Sequence, residues 1–464
     1  MEQLTCGGVR QQGSLSDCCP VAPLRVSDAG HSASSRAAAY RRIPPRGART
    51  VTGMRLLITT QVFPPETHPT AVMALQLAQE LAATGAEVAV AAGYPHHPHG
   101  RLLGGYRKRL LLRECVGGVE VRRGWHVTSS RMSIGPRAFV MASQALGTAL
   151  AALTWRSPDV VVNFGPPLAG PLLAAIIAKL RRRRSIAVIY DLYPDIAIDA
   201  GKLRNPLFVA AARLAERLAY RWADRIVVLS EGFRRTLVGR GVPAPKIDVV
   251  PVWLDPAEIT PRPRDNPWRR AHGIPVEKKV VLYAGTIGLI SGASIVLDAA
   301  ERLADRDDIL FLFVGEGRLK DELESEAKRR RLQGVRFLPF QPRDCLPDVQ
   351  ATADMTLVTL LPGRGRTSVP SKVVGYLAAG RAVVASVDQD SDTAETVRSG
   401  ACGVVVPPGR ADLLADAVRR MADSADRGTM GAAARRTFET VYAKDAAIAK
   451  MRSIIAHLVE GSRS

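Results

Sequence analysis

The sequence predicts an α/β protein made of two doubly wound, Rossmann-like parallel-sheet domains that face each other across a cleft. Three observations predict it. Runs such as "DVVVNFG", "SIAVIYD" and "RIVVLS" are apolar throughout rather than alternating, so their strands are covered on both faces. Amphipathic helical stretches separate them, as strand-to-strand crossovers require. The alternation stops in the Pro-rich "PVWLDPAEITPRPRDNPWRRAHGIP" and then starts again, which divides the chain in two.

Taken in order, residues 1–53 are rich in Ser, Ala, Gly and Arg and lack periodicity, so they read as a disordered extension. "RLLITT" opens a first domain over 54–250, followed by a helix from Thr70 to Ala83 that Gly85 closes, and by the strand "EVAVAA". The apolar run Ala138 to Trp155 falls short of a membrane span and reads as a buried or interface-lying helix. Helices from Pro171 to Arg184 and near Pro206 to Trp222 complete this half. Residues 251–278 form the linker. The second domain, 279–440, runs through "KVVLYAG", "ILFLFVG", "VRFLPF", "MTLVTL" and "CGVVVPPG", with helices at Ala293 to Ala304, Leu319 to Arg330, Leu346 to Thr352 and Ala411 to Ala422. A last helix, near Ala443 to Leu458 within 441–464, is expected to return to the first domain.

The net charge of +20 calls for acidic partners: nucleic acid, anionic lipid or phosphorylated ligands. Aromatic residues make up only 5%, and no stacking platform is visible, so nucleic acid is excluded. The six cysteines show no paired spacing and no zinc pattern, which implies a reducing compartment and no metal. The three histidines of "HHPHG" lack an acid to complete a ligand set, and their prolines splay the run. Basic residues beside apolar helices, in "PLLAAIIAKLRRRR" and "YRKRLLLR", suit an anionic membrane surface. The expected location is cytoplasmic or peripheral on the inner face of the plasma membrane.

Open parallel sheets bind ligands beyond the carboxyl ends of their strands. In the second domain those loops hold Gly285, Thr286 and Gly288, then Gly315 and Gly317, then the stretch "RTSVPSKVVGYLAAG". Ser371 and Lys372 stand there at a helix start, with Arg364 and Arg366 just before. Cations at an end that is already positive work against the helix dipole unless an anion joins them, and a diphosphate fits. Phe340 ends the strand "VRFLPF" and Gln341 follows it at the same edge, where the two Phe side chains read equally well as core. In the first domain Asp191 and Asp195 of "YDLYPD" follow a strand and face the cleft, Asp191 as a group to orient or deprotonate an acceptor hydroxyl. Capping the next segment is the alternative use of either aspartate. Glu66 and His68 lie in the loop after the first strand, on the acceptor side.

The ordered set "VLYAGTIGLISGASIVLDAAERL", "FLFVGEGRLKDELE", "VRFLPFQPRDCLPDVQATADMTLVTL", "VPSKVVGYLAAGRAVVAS" and "ETVRSGACGVVVPPG" resembles the donor half of the family-4 glycosyltransferases of GT-B fold. "YDLYPD" and "VVPVWLD" are similar to the branch that builds bacterial surface polysaccharides. The resemblance implies transfer of a sugar from a UDP- or GDP-sugar to a growing, lipid-linked glycan. It also implies retention at the anomeric carbon, no metal and no cofactor, the nucleotide-sugar being a substrate. Glu395 matches a family glutamate, and the resemblance implies that the backbone around Phe340 and Gln341 reads the edge of the nucleotide base. Two other family glutamates are replaced, by Thr367 and Gly375, and the cations of the first glycine loop by Thr286 and Ser291. Lys372 is then the replacement for the missing cations, and catalytic with Asp191. A sugar-nucleotide epimerase, or a basic peripheral membrane protein with a decayed donor site, would keep the fold and change the function.

Overall fold

In a computed structural model of the chain, residues 51–460 are described, apart from 67, 97–99, 108, 129–133, 166–168, 200, 202 and 366–370. The extension read over 1–53 therefore lies almost wholly outside the described residues. Val51 is fully buried in the first core, and the Gly53 amide donates to Gly85 O at 2.9 Å, so packing onto the first core includes residues before Met54.

The first sheet has eight strands: β1 (Arg55–Thr60), β2 (Glu87–Gly93), β3 (Leu111–Val116), β4 (Val119–Gly124), β5 (Val160–Phe164), β6 (Arg184–Ile189), β7 (Arg225–Val228) and β8 (Ile247–Val249). Their order is β3-β4-β2-β1-β5-β6-β7-β8, parallel except for β3, which pairs antiparallel with β4. Its helices are α1 (Pro69–Ala83), α2 (Ile134–Leu153), α3 (Ala169–Leu180), the short α4 (Asp195–Asp199), α5 (Pro206–Trp222) and α6 (Glu231–Gly239). Helix α1 covers one face, over Leu56, Ile58, Val90 and Val162, while α2 and α3 cover the other, over Leu57, Ala89 and Val161. Successive residues of a strand point to opposite faces, so β1 serves both cores.

Several boundaries follow from local chemistry. Asn205 caps α5 through Leu207 N at 2.9 Å, and Pro206 occupies the first turn, where its missing N–H costs nothing. Helix α3 stops at Leu180, four residues before the end read from its arginines. Arg182 adopts a left-handed φ of 52°, and Arg183 N bonds Ala178 O at 2.7 Å, a helix-ending turn normally marked by glycine. Arg184 then begins β6 instead of extending the helix.

After a short helix α7 (Pro267–Ala271), the second sheet comprises β9 (Lys279–Ala284), β10 (Ile309–Val314), β11 (Val335–Leu338), β12 (Met355–Thr359), β13 (Ala382–Ser386) and β14 (Gly403–Val406). All are parallel, in the order β11-β10-β9-β12-β13-β14. The connecting helices are α8 (Ile295–Glu301), α9 (Lys320–Arg329), α10 (Leu346–Ala351), α11 (Lys372–Ala378), α12 (Asp392–Ser399) and α13 (Ala411–Asp423), with α14 (Arg427–Thr437) after them. Gly380 takes the expected left-handed place, φ 65°, after α11. The terminal α15 (Lys444–Glu460) leaves this half and buries Ile448, Met451 and Ile455 beside α1 in the first core. Among the described residues no helix is long and apolar enough to cross a membrane.

Candidate active site

Parallel strands deliver their connecting loops to one edge, and the two sheets turn those edges toward each other. A hydrogen bond joins them. Gly232 N, in the first turn of α6 after β7, donates to Asp392 Oδ1 at 2.9 Å, and Asp392 opens α12 after β13. Ser230 caps α6 from its own side, through Phe233 N at 3.2 Å. The free N–H groups at the start of α6 are thus shared between a local cap and a carboxylate from the other half.

In the second domain the glycine loops are built backbone against backbone. A Cβ on Gly315 would meet Gly285 O at 2.0 Å, and one on Gly317 would meet Ile287 O at 2.3 Å. Gly285 N donates to Val314 O, and Ile287 N to Glu316 O, each at 2.9 Å. The Tyr283 hydroxyl ties down Thr286 O at 3.0 Å, and the Ser291 hydroxyl holds Gly288 O at 2.6 Å. The glycines are required first by one another, and they leave a thin wall at the ends of β9 and β10. Asp388, just after β13, accepts from Gly363 N and Gly365 N, both at 2.9 Å, and so fixes the loop that carries Arg364.

Lys372 is the first residue of α11. Its chain runs beside Gly285, and its ammonium lies 3.6 Å from the centroid of the buried Tyr283 ring. Among the described residues no carboxylate pairs with it. Burial pushes its pKa down to about 7, and no opposite charge works the other way. Burial also pushes the Tyr283 phenol up to about 12, so the ring stays neutral beneath the ammonium. Ser371 precedes the helix, is exposed, and makes no side-chain cap bond. Arg364 is half-buried, and its amide donates to Leu361 O at 3.1 Å. Arg366 and Thr367 lie outside the described residues. Gly375 is buried against the Gln350 amide, whose Nε2 would stand 2.8 Å from an added Cβ. Gln341 is engaged by Trp268 Nε1 and by Pro339 O, each at 3.0 Å, while the neighbouring Phe340 is exposed. Glu395 is exposed in the first turn of α12.

The first domain sorts its carboxylates by environment. Asp191, two residues beyond β6, is half-buried, and burial raises its pKa. Asp195 begins α4 and is gripped by the guanidinium groups of Arg213 and Arg240. Burial alone would raise its pKa, but those hydrogen bonds and charges outweigh it and hold the carboxyl below the usual range. Glu66 is buried, and its carboxylate receives Phe63 N at 3.1 Å and His96 N at 3.0 Å, which joins the loops after β1 and β2. His68 caps α1 through Thr70 N at 3.3 Å. Both side chains thus shape the loops after β1 and β2 from within. The sequence reading overlooked Arg123 of β4. It is fully buried, bonds Gly93 O at 2.9 Å, Pro64 O and Glu114, and fastens the same two loops. Nothing in "VEVRRG" distinguishes a buried arginine from an exposed one. Among the described residues no group of three or more His, Cys, Asp or Glu could hold a metal ion, and of "HHPHG" only His96 and Gly100 are described.

The family model of the glycosyl transferase 4-like domain matches residues 70–253, and that of the glycosyl transferases group 1 matches residues 278–424. The chain belongs to the GT-B glycosyltransferases. This glycosyltransferase is 26% identical over 376 residues to the putative colanic acid biosynthesis glycosyl transferase WcaI of Escherichia coli, covering 79% of this chain and 92% of the relative. It is 23% identical to the probable glycosyltransferase WbjE of Pseudomonas aeruginosa, over 66% of this chain and 77% of the relative. Among solved structures, Anabaena HepE in complex with UDP superposes with a TM-score of 0.63 at 17% identity, covering 87% of this chain and all of that one. At that identity the likeness shows the fold alone.

Proposed function

We propose that this glycosyltransferase moves a sugar from a UDP- or GDP-linked donor to a growing, lipid-linked surface glycan at the cytoplasmic face of the membrane, with retention at the anomeric carbon. The observation that carries the reading is Lys372, a cation held half-buried over Tyr283 with no described counter-charge. Such a group is costly until an anion arrives, and a diphosphate supplies one. Arg364, from the preceding loop, supplies a further cation, and Arg366 is the second cation we assign to the diphosphate. The glycine wall of residues 285–288 and 315–317 lets the nucleotide lie close to the sheet edge, with Ser371 and Glu395 at the starts of the neighbouring helices. The backbone near Gln341 faces the base. HepE is described in complex with UDP and with UDP-glucose, and WcaI is named for colanic acid biosynthesis, which supports both ends of the reaction.

In the proposed step the bond from the anomeric carbon to the β-phosphate oxygen breaks, and one to the acceptor oxygen forms on the same face. Lys372 stabilises the charge that develops on the leaving diphosphate. Asp191, its pKa raised by burial, orients the acceptor hydroxyl, whose proton passes to the departing phosphate oxygen. Glu66, His68 and Asp195 hold the acceptor loops in shape.

Titration calorimetry with UDP and with GDP tests the donor site. One of the two should bind, and Lys372→Met should abolish that binding and lower turnover by on the order of a hundredfold or more. Failure of both nucleotides to bind the intact enzyme would end the reading, and unchanged turnover in the variant would remove Lys372 from it.

A further inference from the structure

Helices α2, α3 and α5 lie side by side on one face of the first sheet, with α3 in the middle. Their inner sides fill the core, but their outer sides are unusual for a surface. On α2 the outward positions Phe139, Ala142, Leu146, Leu150 and Leu153 recur at helical spacing, and none is polar. Phe139 and Leu146 are 62% and 57% exposed. Gly147 explains why α2 cannot turn this stripe inward. A Cβ there would meet Trp125 O at 2.2 Å, so the flank of the helix next to the stripe already lies flush on the residue after β4 and fixes the helix's rotation. On α5 the outward stripe begins with Leu207 and Phe208, 77% and 67% exposed, continues through Leu214, and ends in Arg217 and Arg221.

Charge on this face has one sign. Neither α2 nor α3 contains an acid, and the single acid of α5, Glu216, is buried and bonded to Arg240 Nη1 at 2.7 Å. The exposed cations Lys179, Arg182, Arg217 and Arg221 are therefore unopposed by any acid of these helices. Arg181, by contrast, is spent on Leu153 O and Trp155 O, and Arg184 on Asp224.

We infer that the outer face of α2, α3 and α5 is the surface by which the enzyme lies on an anionic lipid bilayer. An apolar stripe seats itself among acyl chains at the interface, and unopposed cations meet the headgroups. A second copy of the same face would bring like charges together, which argues against self-association. The position also serves the chemistry. Crossover helices start at the carboxyl ends of the strands, so Phe139, Leu207 and Phe208 stand at the end of the sheet that faces the cleft. An acceptor anchored in that bilayer would reach the cleft without leaving the membrane. The inference extends the reading of a lipid-linked acceptor, but it depends on no property of the nucleotide site.

Flotation with vesicles of phosphatidylcholine containing phosphatidylglycerol tests it, with UDP or GDP affinity measured in parallel to verify folding. The intact enzyme should float with these vesicles and bind neutral phosphatidylcholine vesicles more weakly. Leu146→Gln with Leu150→Gln, and separately Leu207→Gln with Phe208→Gln, should each weaken capture by at least about tenfold. Arg217→Gln with Arg221→Gln should cost about fivefold per charge on anionic vesicles and little on neutral ones. Equal capture of the intact enzyme and all three variants would overturn the inference. So would absence of capture combined with a concentration-dependent dimer that the leucine variants dissolve. Nucleotide affinity should stay unchanged throughout, so this inference can fail while the donor reading survives, and the reverse.

Discussion

Lys372 sets two opposed pH dependences. Its folded pKa of about 7 lies below the ordinary lysine value of 10.5. Below pH 7 the residue is charged in both folded and unfolded chains, and the fold bears the full cost of a poorly hydrated cation. Between pH 7 and 10.5 the folded protein releases its proton first, so stability contributed by this group rises with pH. Lys372→Met should therefore raise the melting temperature most below pH 7, and the gain should fade toward pH 10.5, as calorimetric scans at several pH values would report. Ligand binding runs the other way. A diphosphate favours the protonated amine, so nucleotide affinity should fall by about tenfold per pH unit just above pH 7 in titrations across that range. The candidate role of Lys372 was legible because a lysine in an acid-free first turn contradicts the helix dipole. The uses of Asp195 and Glu66 were not. Their partners Arg213, Arg240 and His96 lie 18 to 45 residues away along the chain, and only folding brings them together.

At the scale of elements, sequence patterning was most informative where a local signal and burial agreed. Helix α5 runs over Pro206–Trp222, as its Asn205 cap and leading proline imply. Helix α3 ended early because a left-handed residue need not be glycine, and nothing in four consecutive arginines marks Arg182 for that role. The hairpin of β3 and β4 escaped notice because β4 turns Arg122 and Arg123 inward, against the usual meaning of a basic pair. The loops after β9 and β10 carry a sharper expectation. In Gly315→Ala the new methyl group would stand 2.0 Å from Gly285 O, and neither backbone can yield without moving a strand end. Urea unfolding should show a loss on the order of 1–3 kcal/mol, and nucleotide affinity should fall with it because Gly285 borders Lys372.

For the molecule as a whole, the Gly232–Asp392 bond spans the facing loop edges among the described residues. A methyl group at Gly232 would lie 2.5 Å from Asp392 Oδ2. Gly232→Ala should therefore favour a more open arrangement, seen as a larger radius of gyration by small-angle scattering, while the nucleotide still binds the second half. An unchanged radius would mean that other contacts hold the halves together. The division into two parallel-sheet halves was readable from repeated strand patterning. Their mutual approach was not, since it rests on single residues such as Asp392 that look like ordinary helix caps.

Helix α15 carries a consequence for biosynthesis. It supplies Ile448, Met451 and Ile455 to the core that β1 and α1 begin, and Lys444 bridges Glu80 and Asp255 at 3.3 and 2.8 Å. On the ribosome, the half translated first must wait, with an apolar flank uncovered, until α15 has been made. The half translated second meets no such delay, so the order of synthesis and the order of completion are reversed.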